Sequence, residues 1–545
     1  MTTGRLNPAQ RRLAVDELGR GVVDVLVVGG GVVGAGAALD AASRGLTVGL
    51  AERDDWASGT SSRSSRLAHG GLRYLEQREF GLVHEALTER GLLLDRIAPH
   101  LVRPVRFVFP LTTQWERPYV GAGVALYDVL ARFGARSGSL PAHRHLSKRA
   151  ALRLVPGLDD SSLTGAVTFF DAQIDDARHT LAAVRTAVAH GAHAASQVEV
   201  TGFLRDGDVV KGVDAVDRIN GRALTIRARV VVCAMGVWGE GLPGLLGSAT
   251  NGRAVVPSKG VHLVVGRQAI DSHTAVIART AASVLFLLPW ANHWIVGTTD
   301  TPWGGDVDTF DDVRPEEADV EYLLGEANRW LRRPLTRDDV VATYAGLRPL
   351  VAEAEDPDTT RISREHLVTT LAPGLVSVSG GKYTTYRVMA ADAVDLAVRQ
   401  LPPELAVGAS RTAGLPLVGA EGFTTLWQDR EELALAWRLP VRTVARLLRR
   451  HGDQTGDVIE LIQQRPELGE PVAGSRYLAA EFVHAAAAEG ATAVADALLR
   501  RTHLGLESAG RGRDAVEPVA TLLGSVLGWD ADQRRSQQEQ YLGRS

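Results

Sequence analysis

A chain of 545 residues is long enough for two or three domains, and its 45% hydrophobic and 23% charged residues are ordinary for a globular protein with a large core. The formal net charge of -4 excludes a global field that would recruit nucleic acid or an acidic membrane, so we expect no nucleic-acid partner. The single cysteine, Cys233, excludes an internal disulfide and is typical of a reducing compartment.

The N-terminal part of the chain predicts a βαβ unit. Residues 1–20 are polar and lack the apolar core of a secretory signal, so they are expected to be an extension of a cytoplasmic protein. After them the sequence predicts a buried strand at Val22–Val28, a helix at Val32–Ser43 and a second strand at Thr47–Glu52. Charged residues within this apolar run argue against a transmembrane helix.

Further along, apolar spacing predicts helices and strands and finally a helical region. The predicted elements are helices Glu79–Ala98 and Asp175–His190, a hairpin Val209–Arg227 with a type I′ turn at Asn220-Gly221, a buried strand Val230–Ala234, an antiparallel sheet from Val261–Gly266, Val284–Pro289 and Trp294–Thr298, a helix Pro315–Trp330, a strand Leu375–Ser379 and a helix from about Thr384 to Gln400. After Leu415 strand signals nearly vanish, and amphipathic runs such as Val441–Arg450 and Val516–Leu527 predict a separate helical domain.

A glycine fingerprint joins the first strand to the first helix. Gly29, Gly31 and Gly34 have the spacing that permits a tight turn, close approach of a pyrophosphate and tight helix–strand packing. The helix N-terminus offers N–H donors to phosphates, and Glu52, about twenty residues further on, ends the next strand where it can accept from a ribose hydroxyl. The pattern predicts a bound dinucleotide, and the alternative is a structural glycine turn.

The residues that follow favour FAD over NAD. A nicotinamide enzyme usually continues with a second βαβ half, whereas this chain continues with a hydroxyl-rich turn that contains Thr60, Ser61 and Ser62. The distant segment SVSGGKYTT brings Gly381 and Lys382 to a helix start, which suits negative charge on a reduced flavin. Gly236, after the strand Val230–Ala234, completes the candidate cofactor residues.

Five motifs in order carry a family resemblance. TSSRSSRLAHGGLRYLE, IDDARHTLA, GTTDT, YAGLRPL and GGKYTTYR resemble the FAD-dependent glycerol-3-phosphate dehydrogenases, which have a D-amino-acid-oxidase-like architecture. The resemblance implies a Rossmann-like FAD-binding domain interleaved with an antiparallel-sheet substrate domain, plus an all-α C-terminal domain. The expected limits are about 21–98, 165–260 and 345–408 for the FAD domain, 99–164 and 261–344 for the substrate domain, and 411–545 for the helical domain.

The substrate implied is sn-glycerol 3-phosphate, which needs a phosphate anchor and a base. Arginine, lysine and hydroxyl groups suit a phosphate, and the resemblance assigns that role to Arg73, Tyr74, Arg348, Lys382 and Thr384. The alternative for each charge is a solvated surface position. His69 and His262 are the candidate bases, because neutral imidazole can accept a proton near pH 7. The sequence leaves the choice between these histidines open, and His262 could equally be a core histidine.

The resemblance implies hydride transfer from C2 of the substrate to FAD, with dihydroxyacetone phosphate as product and a membrane quinone as electron acceptor. It also implies a homodimer and peripheral attachment to the membrane. The apolar stretch Pro118–Phe133, followed by basic residues, fits interfacial binding, although a core helix with a solvated loop fits it as well. The rival functions are an oxidase that passes electrons to O₂, an amino-acid or amine oxidase of the same fold, and a non-catalytic flavoprotein.

Overall fold

The computed structural model describes residues 4–134, 140–247, 254–280, 284–352 and 365–543. Its strands are, in chain order, β1 (Val22–Val28), β2 (Val48–Ala51), β3 (Leu67–Ala68), β4 (Val102–Leu111), β5 (Arg144–Ser147), β6 (Gly165–Ile174), β7 (His193–Ala195), β8 (Val198–Asp206), β9 (Val209–Asp217), β10 (Arg222–Cys233), β11 (Ala254–Gly266), β12 (Ala275–Arg279), β13 (Val284–Trp290), β14 (His293–Gly297), β15 (Thr301–Pro302), β16 (Val340–Ala352), β17 (His366–Ala372) and β18 (Leu375–Gly380).

The α-helices are α1 (Pro8–Arg20), α2 (Val32–Ser43), α3 (Arg73–Glu76), α4 (Phe80–Leu92), α5 (Glu116–Gly134), α6 (Lys148–Leu154), α7 (Asp176–Ala189), α8 (Leu242–Leu246), α9 (Glu317–Asn328), α10 (Tyr386–Val398), α11 (Phe423–Gln428), α12 (Arg430–Trp437), α13 (Val441–His451), α14 (Thr455–Gln464), α15 (Ala479–Ala488), α16 (Val494–Asp496), α17 (Leu504–Glu507), α18 (Val516–Leu527) and α19 (Ala531–Gly543). Wider helical turns follow α4 at Leu93–Ile97 and α16 at Ala497–Arg501. The segment predicted as a helix at Glu79–Ala98 is therefore α4 and its wider last turn.

The first sheet has the strand order β17-β18-β10-β1-β2-β7, with β9 and β8 continuing outward from β10. Strands β18, β10, β1, β2 and β7 are parallel to their neighbours in that order. Helices α2, α7 and α10 bury their apolar residues in one core cluster with β1, β2 and β18. The βαβ prediction is confirmed, and Cys233 at the end of β10 is buried, which raises the pKa of its thiol to about 12.

The second sheet has the order β15-β11-β14-β13-β12-β4-β6-β3, with β16 also paired with β11 and β5 with β6. All its pairings are antiparallel except that of β12 with β4. The three strands predicted to form an antiparallel sheet are β11, β14 and β13, and they are neighbours in that order. The described residues after 410 form helices joined by loops, with isolated β-bridges and no strand, and these helices share a core of their own. The predicted fold class is confirmed, whereas the exact domain limits stay a prediction.

The predicted hairpin differs from the observed one in two respects. The type I′ turn is wrong, because the strands are joined by the four residues 218–221 and, of Asn220 and Gly221, only Gly221 has a positive φ (72°). Asp217 stabilises the longer connection, since its carboxylate accepts from the Ile219 N–H (3.1 Å) and pairs with Arg11 (2.6 Å). The separately predicted strand Val230–Ala234 is the second half of β10, which continues straight from the hairpin into the parallel sheet.

No helix in the described ranges combines the length and the apolar character needed to cross a bilayer.

Candidate active site

The loops at the carboxyl ends of four parallel strands meet at one cavity of about 730 Å³. Gly29 follows β1, Glu52 follows β2, Gly236 follows β10, and Gly381 follows β18. In open parallel sheets this edge is where ligands bind. The cavity volume lies within the range of small-molecule and cofactor sites.

The glycine fingerprint is required by close backbone contacts. A Cβ atom on Gly34 would lie 1.9 Å from the Gly29 carbonyl oxygen, and a Cβ atom on Gly29, which has a φ of 107°, would lie 2.5 Å from the Ala234 carbonyl oxygen. Gly31 is the residue that begins α2 and lines the cavity with Val32 and Val33. The N-terminus of a twelve-residue helix therefore points its N–H groups and the positive end of its dipole into the cavity.

Glu52 lies at the same end of the cavity. Its carboxylate accepts hydrogen bonds from the backbone N–H groups of Gly30 (2.5 Å) and Asp54 (2.7 Å), which fixes its direction. Burial raises the pKa of Glu52 to about 7, and the two N–H donors oppose that increase. A hydroxyl donor such as a ribose would stabilise the charged form further.

Only some of the residues in the hydroxyl-rich turn line the cavity. The Ser61 hydroxyl accepts from the Val32 N–H (2.9 Å) at the start of α2, and the Thr60 hydroxyl donates to the Leu347 carbonyl (2.6 Å). Both residues line the cavity, whereas Ser62 lines a neighbouring cleft instead. Ser64 and Ser65, which lie in the same motif and were not singled out, do line the cavity. The density of hydroxyl groups in the motif was the available signal for them.

One group of predicted substrate residues lies between β3 and α10. Thr384 accepts from the His69 N–H (3.1 Å), and the Lys382 ammonium lies 3.6 Å from the centre of the Tyr74 ring. All four residues line the cavity. A cation over an aromatic face is attracted by the ring. The Arg73 side chain lies outside the described part of the structure.

Arg348 on β16 also lines the cavity. Its guanidinium donates to the Thr298 hydroxyl (2.9 Å) and the Thr299 carbonyl (2.9 Å), and pairs with Asp300 (3.2 Å). A Cβ atom on Gly260 would lie 2.4 Å from the guanidinium, so glycine is needed on β11 beneath it. The GTTD turn therefore holds Arg348 in a fixed direction.

His262 on β11 is almost fully buried beside Arg348. Its Nε2 lies 2.8 Å from the Ser65 hydroxyl, and its ring stacks on Tyr344 with 4.8 Å between the ring centres. Its buried Nδ1 has no hydrogen-bond partner among the described residues. Burial, together with the positive charges of Arg348 and Arg66, lowers the pKa of His262 to about 3, so the ring is neutral at physiological pH.

The residues around the cavity fit FAD. A glycine turn at a helix N-terminus suits a pyrophosphate, Glu52 suits a ribose, and Gly380 and Gly381, both with φ near 75°, line the same cavity. A Cβ atom on Gly381 would collide with the Met389 sulfur at 2.4 Å, so these glycines could not be replaced by larger residues without rearrangement. One cavity thus combines dinucleotide-type residues with cationic side chains and histidines.

Comparison with known proteins gives the same assignment. Residues 24–387 match the family of FAD dependent oxidoreductases, and residues 410–534 match the C-terminal domain of alpha-glycerophosphate oxidase. The chain is 48% identical over 544 residues to glycerol-3-phosphate dehydrogenase 2 of Mycobacterium tuberculosis, covering 99% of this chain and 91% of the relative. It is 35% identical to the human mitochondrial glycerol-3-phosphate dehydrogenase, covering 95% of this chain and 72% of the relative.

A solved structure with bound FAD has the same fold over the whole chain. The glycerol-3-phosphate dehydrogenase from Bacillus halodurans, complexed with FAD, superimposes with a TM-score of 0.79 at 28% identity, covering 100% of this chain and 98% of that one. FAD is therefore the cofactor. The chain belongs to the family of FAD-dependent glycerol-3-phosphate dehydrogenases.

Proposed function

We propose that the protein oxidises sn-glycerol 3-phosphate to dihydroxyacetone phosphate. The observation that carries the proposal is that one cavity is lined both by a dinucleotide-type glycine turn and by Arg348, Lys382 and two histidines. The names of the relatives that match nearly the whole chain support the same substrate. An amino-acid or amine oxidase would need an anchor for a carboxylate, but it would not need this number of cationic groups.

Arg348, Lys382, Tyr74 and Thr384 bind the substrate in this proposal, together with Arg73. The phosphate docks on the cations, because charge-assisted hydrogen bonds to a dianion are strong and a guanidinium can donate two in parallel. Thr298, Thr299 and Asp300 hold the Arg348 guanidinium before the substrate arrives. Preorganisation of this kind reduces the entropic cost of binding.

His262 accepts the proton of the 2-hydroxyl. The chemistry that bound FAD supplies is acceptance of the hydride from C2, which leaves a carbonyl. His262 is neutral and is held by Ser65 and Tyr344, so it can receive the hydroxyl proton as that hydride leaves. A phosphate dianion beside Arg348 offsets the charge that depresses the basicity of His262, so substrate binding makes the ring a stronger base. His69 also lines the cavity and is the alternative base.

Anaerobic titration tests the function. Addition of glycerol 3-phosphate to the purified holoprotein under nitrogen is expected to bleach the flavin absorbance, with an equivalent amount of dihydroxyacetone phosphate formed. Glycine, D-alanine and L-proline serve as matched controls and are expected to leave the spectrum unchanged. Bleaching by an amino acid but not by glycerol 3-phosphate would overturn the proposal in favour of an amino-acid oxidase.

The electron acceptor in this proposal is a membrane quinone. The match of the last domain to a domain named for an alpha-glycerophosphate oxidase keeps O₂ as the competing acceptor. Turnover with a short-chain ubiquinone or menaquinone analogue is expected to exceed the rate of peroxide formation in air. A peroxide yield equal to the substrate consumed in the presence of the quinone would assign the protein as an oxidase.

Peripheral membrane attachment through α5 belongs to the same proposal. The inward face of this helix is buried through Val120, Val124 and Tyr127, yet its outward face is apolar as well. Exposed apolar side chains recur at helical spacing, namely Trp115 (63% exposed) just before the helix and Tyr119 (47%), Leu126 (38%) and Val129 (44%) on it. An apolar helix face of this kind, near exposed arginines, is typical of interfacial binding to anionic lipid.

Vesicle flotation tests the attachment. The wild-type protein is expected to float with vesicles of phosphatidylglycerol and phosphatidylcholine at low salt, and the double variant Leu126→Glu with Val129→Glu is expected to stay at the bottom. Leu435→Glu is the matched control, because Leu435 is 82% exposed on α12 in the helical domain. Flotation of the α5 variant like wild type would exclude this helix as the attachment site.

Light scattering of the purified holoprotein tests the homodimer that the family resemblance implies.

A further inference from the structure

The helical C-terminal domain contacts the rest of the chain at the start of α7, where two adjacent carboxylates face different neighbours. Asp175 faces the C-terminal domain, with its Oδ2 3.0 Å from His503 Nε2 and 3.4 Å from Arg450 Nη1. Asp176 faces the hydroxyl-rich turn and accepts from the Ser64 N–H (3.2 Å) and the Ser64 hydroxyl (2.7 Å). The start of α7 therefore joins the C-terminal domain to this turn.

The second connection runs through Arg66, whose side chain is 1% exposed. Its Nη1 lies 3.1 Å from His503 Nε2, and its guanidinium lies 4.4 Å from the centre of the Trp290 ring. Its backbone has a φ of 55°, a conformation that side-chain-bearing residues rarely adopt. A buried cation is unfavourable unless it is partnered, so His503 and the nearby Asp175 carboxylate stabilise both the position of this side chain and the unusual backbone.

The residue directly before Arg66 contacts the proposed base. The Ser65 hydroxyl lies 2.8 Å from Nε2 of His262. Tyr344, on which the His262 ring stacks, donates its hydroxyl to the Ser64 carbonyl (3.0 Å). Three consecutive contacts therefore lead from the C-terminal domain to the histidine, from His503 to Arg66, along the backbone to Ser65, and from Ser65 to His262.

We propose that His503 and Ser65 are positioning residues, through which the C-terminal domain fixes the direction of the His262 ring in the cavity. Ser65 holds the ring through its Nε2. His503 holds the backbone of the turn through Arg66. The inference rests on the proposed function, since it concerns how the base of that reaction is held.

Stopped-flow reduction of the holoprotein by glycerol 3-phosphate tests the proposal. His503→Leu is expected to lower the rate constant of flavin reduction by about 10- to 100-fold, because displacement of a reacting group by about 1 Å has effects of that size. KM is expected to stay within about twofold of wild type, because Arg348 and Lys382 do not contact His503. His503→Gln keeps an acceptor and a donor and is expected to restore most of the rate. Ser65→Ala is expected to lower the rate in the same way.

His484→Leu is the matched control. His484 is buried in the same domain and contacts Glu489 instead of Arg66, so this variant is expected to lose thermal stability while its reduction rate stays within about twofold of wild type. The double variant Ser65→Ala with His503→Leu is expected to lose less than the product of the two single losses, because both act on one contact path.

Several results would overturn the proposal: a wild-type rate in His503→Leu or in Ser65→Ala, equal rate losses in His503→Leu and His484→Leu, or multiplicative losses in the double variant. If His503→Leu does not retain FAD, the rates of flavin reduction in Ser65→Ala and His503→Gln test the proposal instead. If glycerol 3-phosphate does not bleach the flavin of the wild-type protein, the proposed function is wrong. If it bleaches wild type and His503→Leu at the same rate, only the present inference is wrong.

Discussion

Replacement of Arg348 by lysine separates phosphate binding from catalysis. The guanidinium makes two 2.9 Å hydrogen bonds to Thr298 and Thr299 and a 3.2 Å ion pair with Asp300, so its plane is fixed before substrate binds. A lysine retains the charge but lacks the planar set of donors, so it cannot make all these contacts and hold a phosphate in the same direction. Arg348→Lys is therefore expected to weaken phosphate binding without removing the cation from Asp300.

The expected magnitude follows from the bond that is lost. A hydrogen bond to a charged group contributes about 1.5–3 kcal/mol, which corresponds to a roughly 10- to 150-fold increase in KM at tenfold per 1.4 kcal/mol. Arg348→Ala is expected to have a larger effect and to destabilise the protein as well. It removes the guanidinium that pairs with Asp300, whose side chain is 12% exposed.

Steady-state kinetics with a quinone analogue measure the effect, with inorganic phosphate as a competitive inhibitor. KM for glycerol 3-phosphate and Ki for phosphate are expected to rise by the same factor in Arg348→Lys, while FAD content and kcat change little. A KM and a Ki both within twofold of wild type would refute the assignment of Arg348 to the phosphate. A loss confined to kcat would instead place the guanidinium near the reacting carbon.

Three further predictions concern residues that line the cavity or support its lining. Tyr127→Phe removes the hydroxyl that accepts from the buried Gly70 N–H, and it is expected to lower the free energy of unfolding in urea by about 1–3 kcal/mol. The control Tyr119→Phe, at an exposed position, is expected to change that free energy very little. Equal effects of the two substitutions would contradict this prediction. The folded-state pKa of Glu52 is raised from 4.5 to about 7, so the contribution of this carboxyl to apoprotein stability is present below pH 4.5 and is lost as pH rises to about 7. The difference in melting temperature between Glu52→Gln and wild type should show that pH dependence, and a constant difference would refute it. His262→Asn is expected to lower flavin reduction by about 100-fold or more, and a larger loss in His69→Asn would move the base to that residue.

Elements defined by local patterns were predictable to the residue. The strand Val22–Val28, the helix Val32–Ser43 and the helix Val516–Leu527 have the predicted bounds, because burial on one sheet or helix face follows directly from the spacing of apolar residues. The hairpin turn was not predictable in this way. Its length depends on the carboxylate of Asp217, which is held by Arg11 from a helix more than two hundred positions earlier.

The same limit applies to the candidate site. The glycine fingerprint and Glu52 have fixed spacing within one βαβ unit, so local sequence places both at the same sheet edge. By contrast, the contact between Ser65 and His262 joins residues 197 positions apart, and the sequence contains no periodic pattern that pairs them. The chemistry of imidazole made His262 a candidate base, and only the packing of β11 against the turn indicates which of its nitrogens is engaged.

Asp175 and Asp176 illustrate how one short motif can serve two purposes. In the sequence, two acidic residues before a helix are explained by the helix dipole alone, and Asp175 does accept from the Arg178 N–H (3.3 Å) as an N-terminal cap. The capping role would be satisfied by one carboxylate. In the structure the second carboxylate binds Ser64, and the first also binds His503 from the C-terminal domain. Exchange of either residue for asparagine would keep a hydrogen-bond acceptor at the start of the helix. It would remove a negative charge that faces the buried Arg66. The charge of this pair, more than its capping role, therefore connects the helical domain to the cavity.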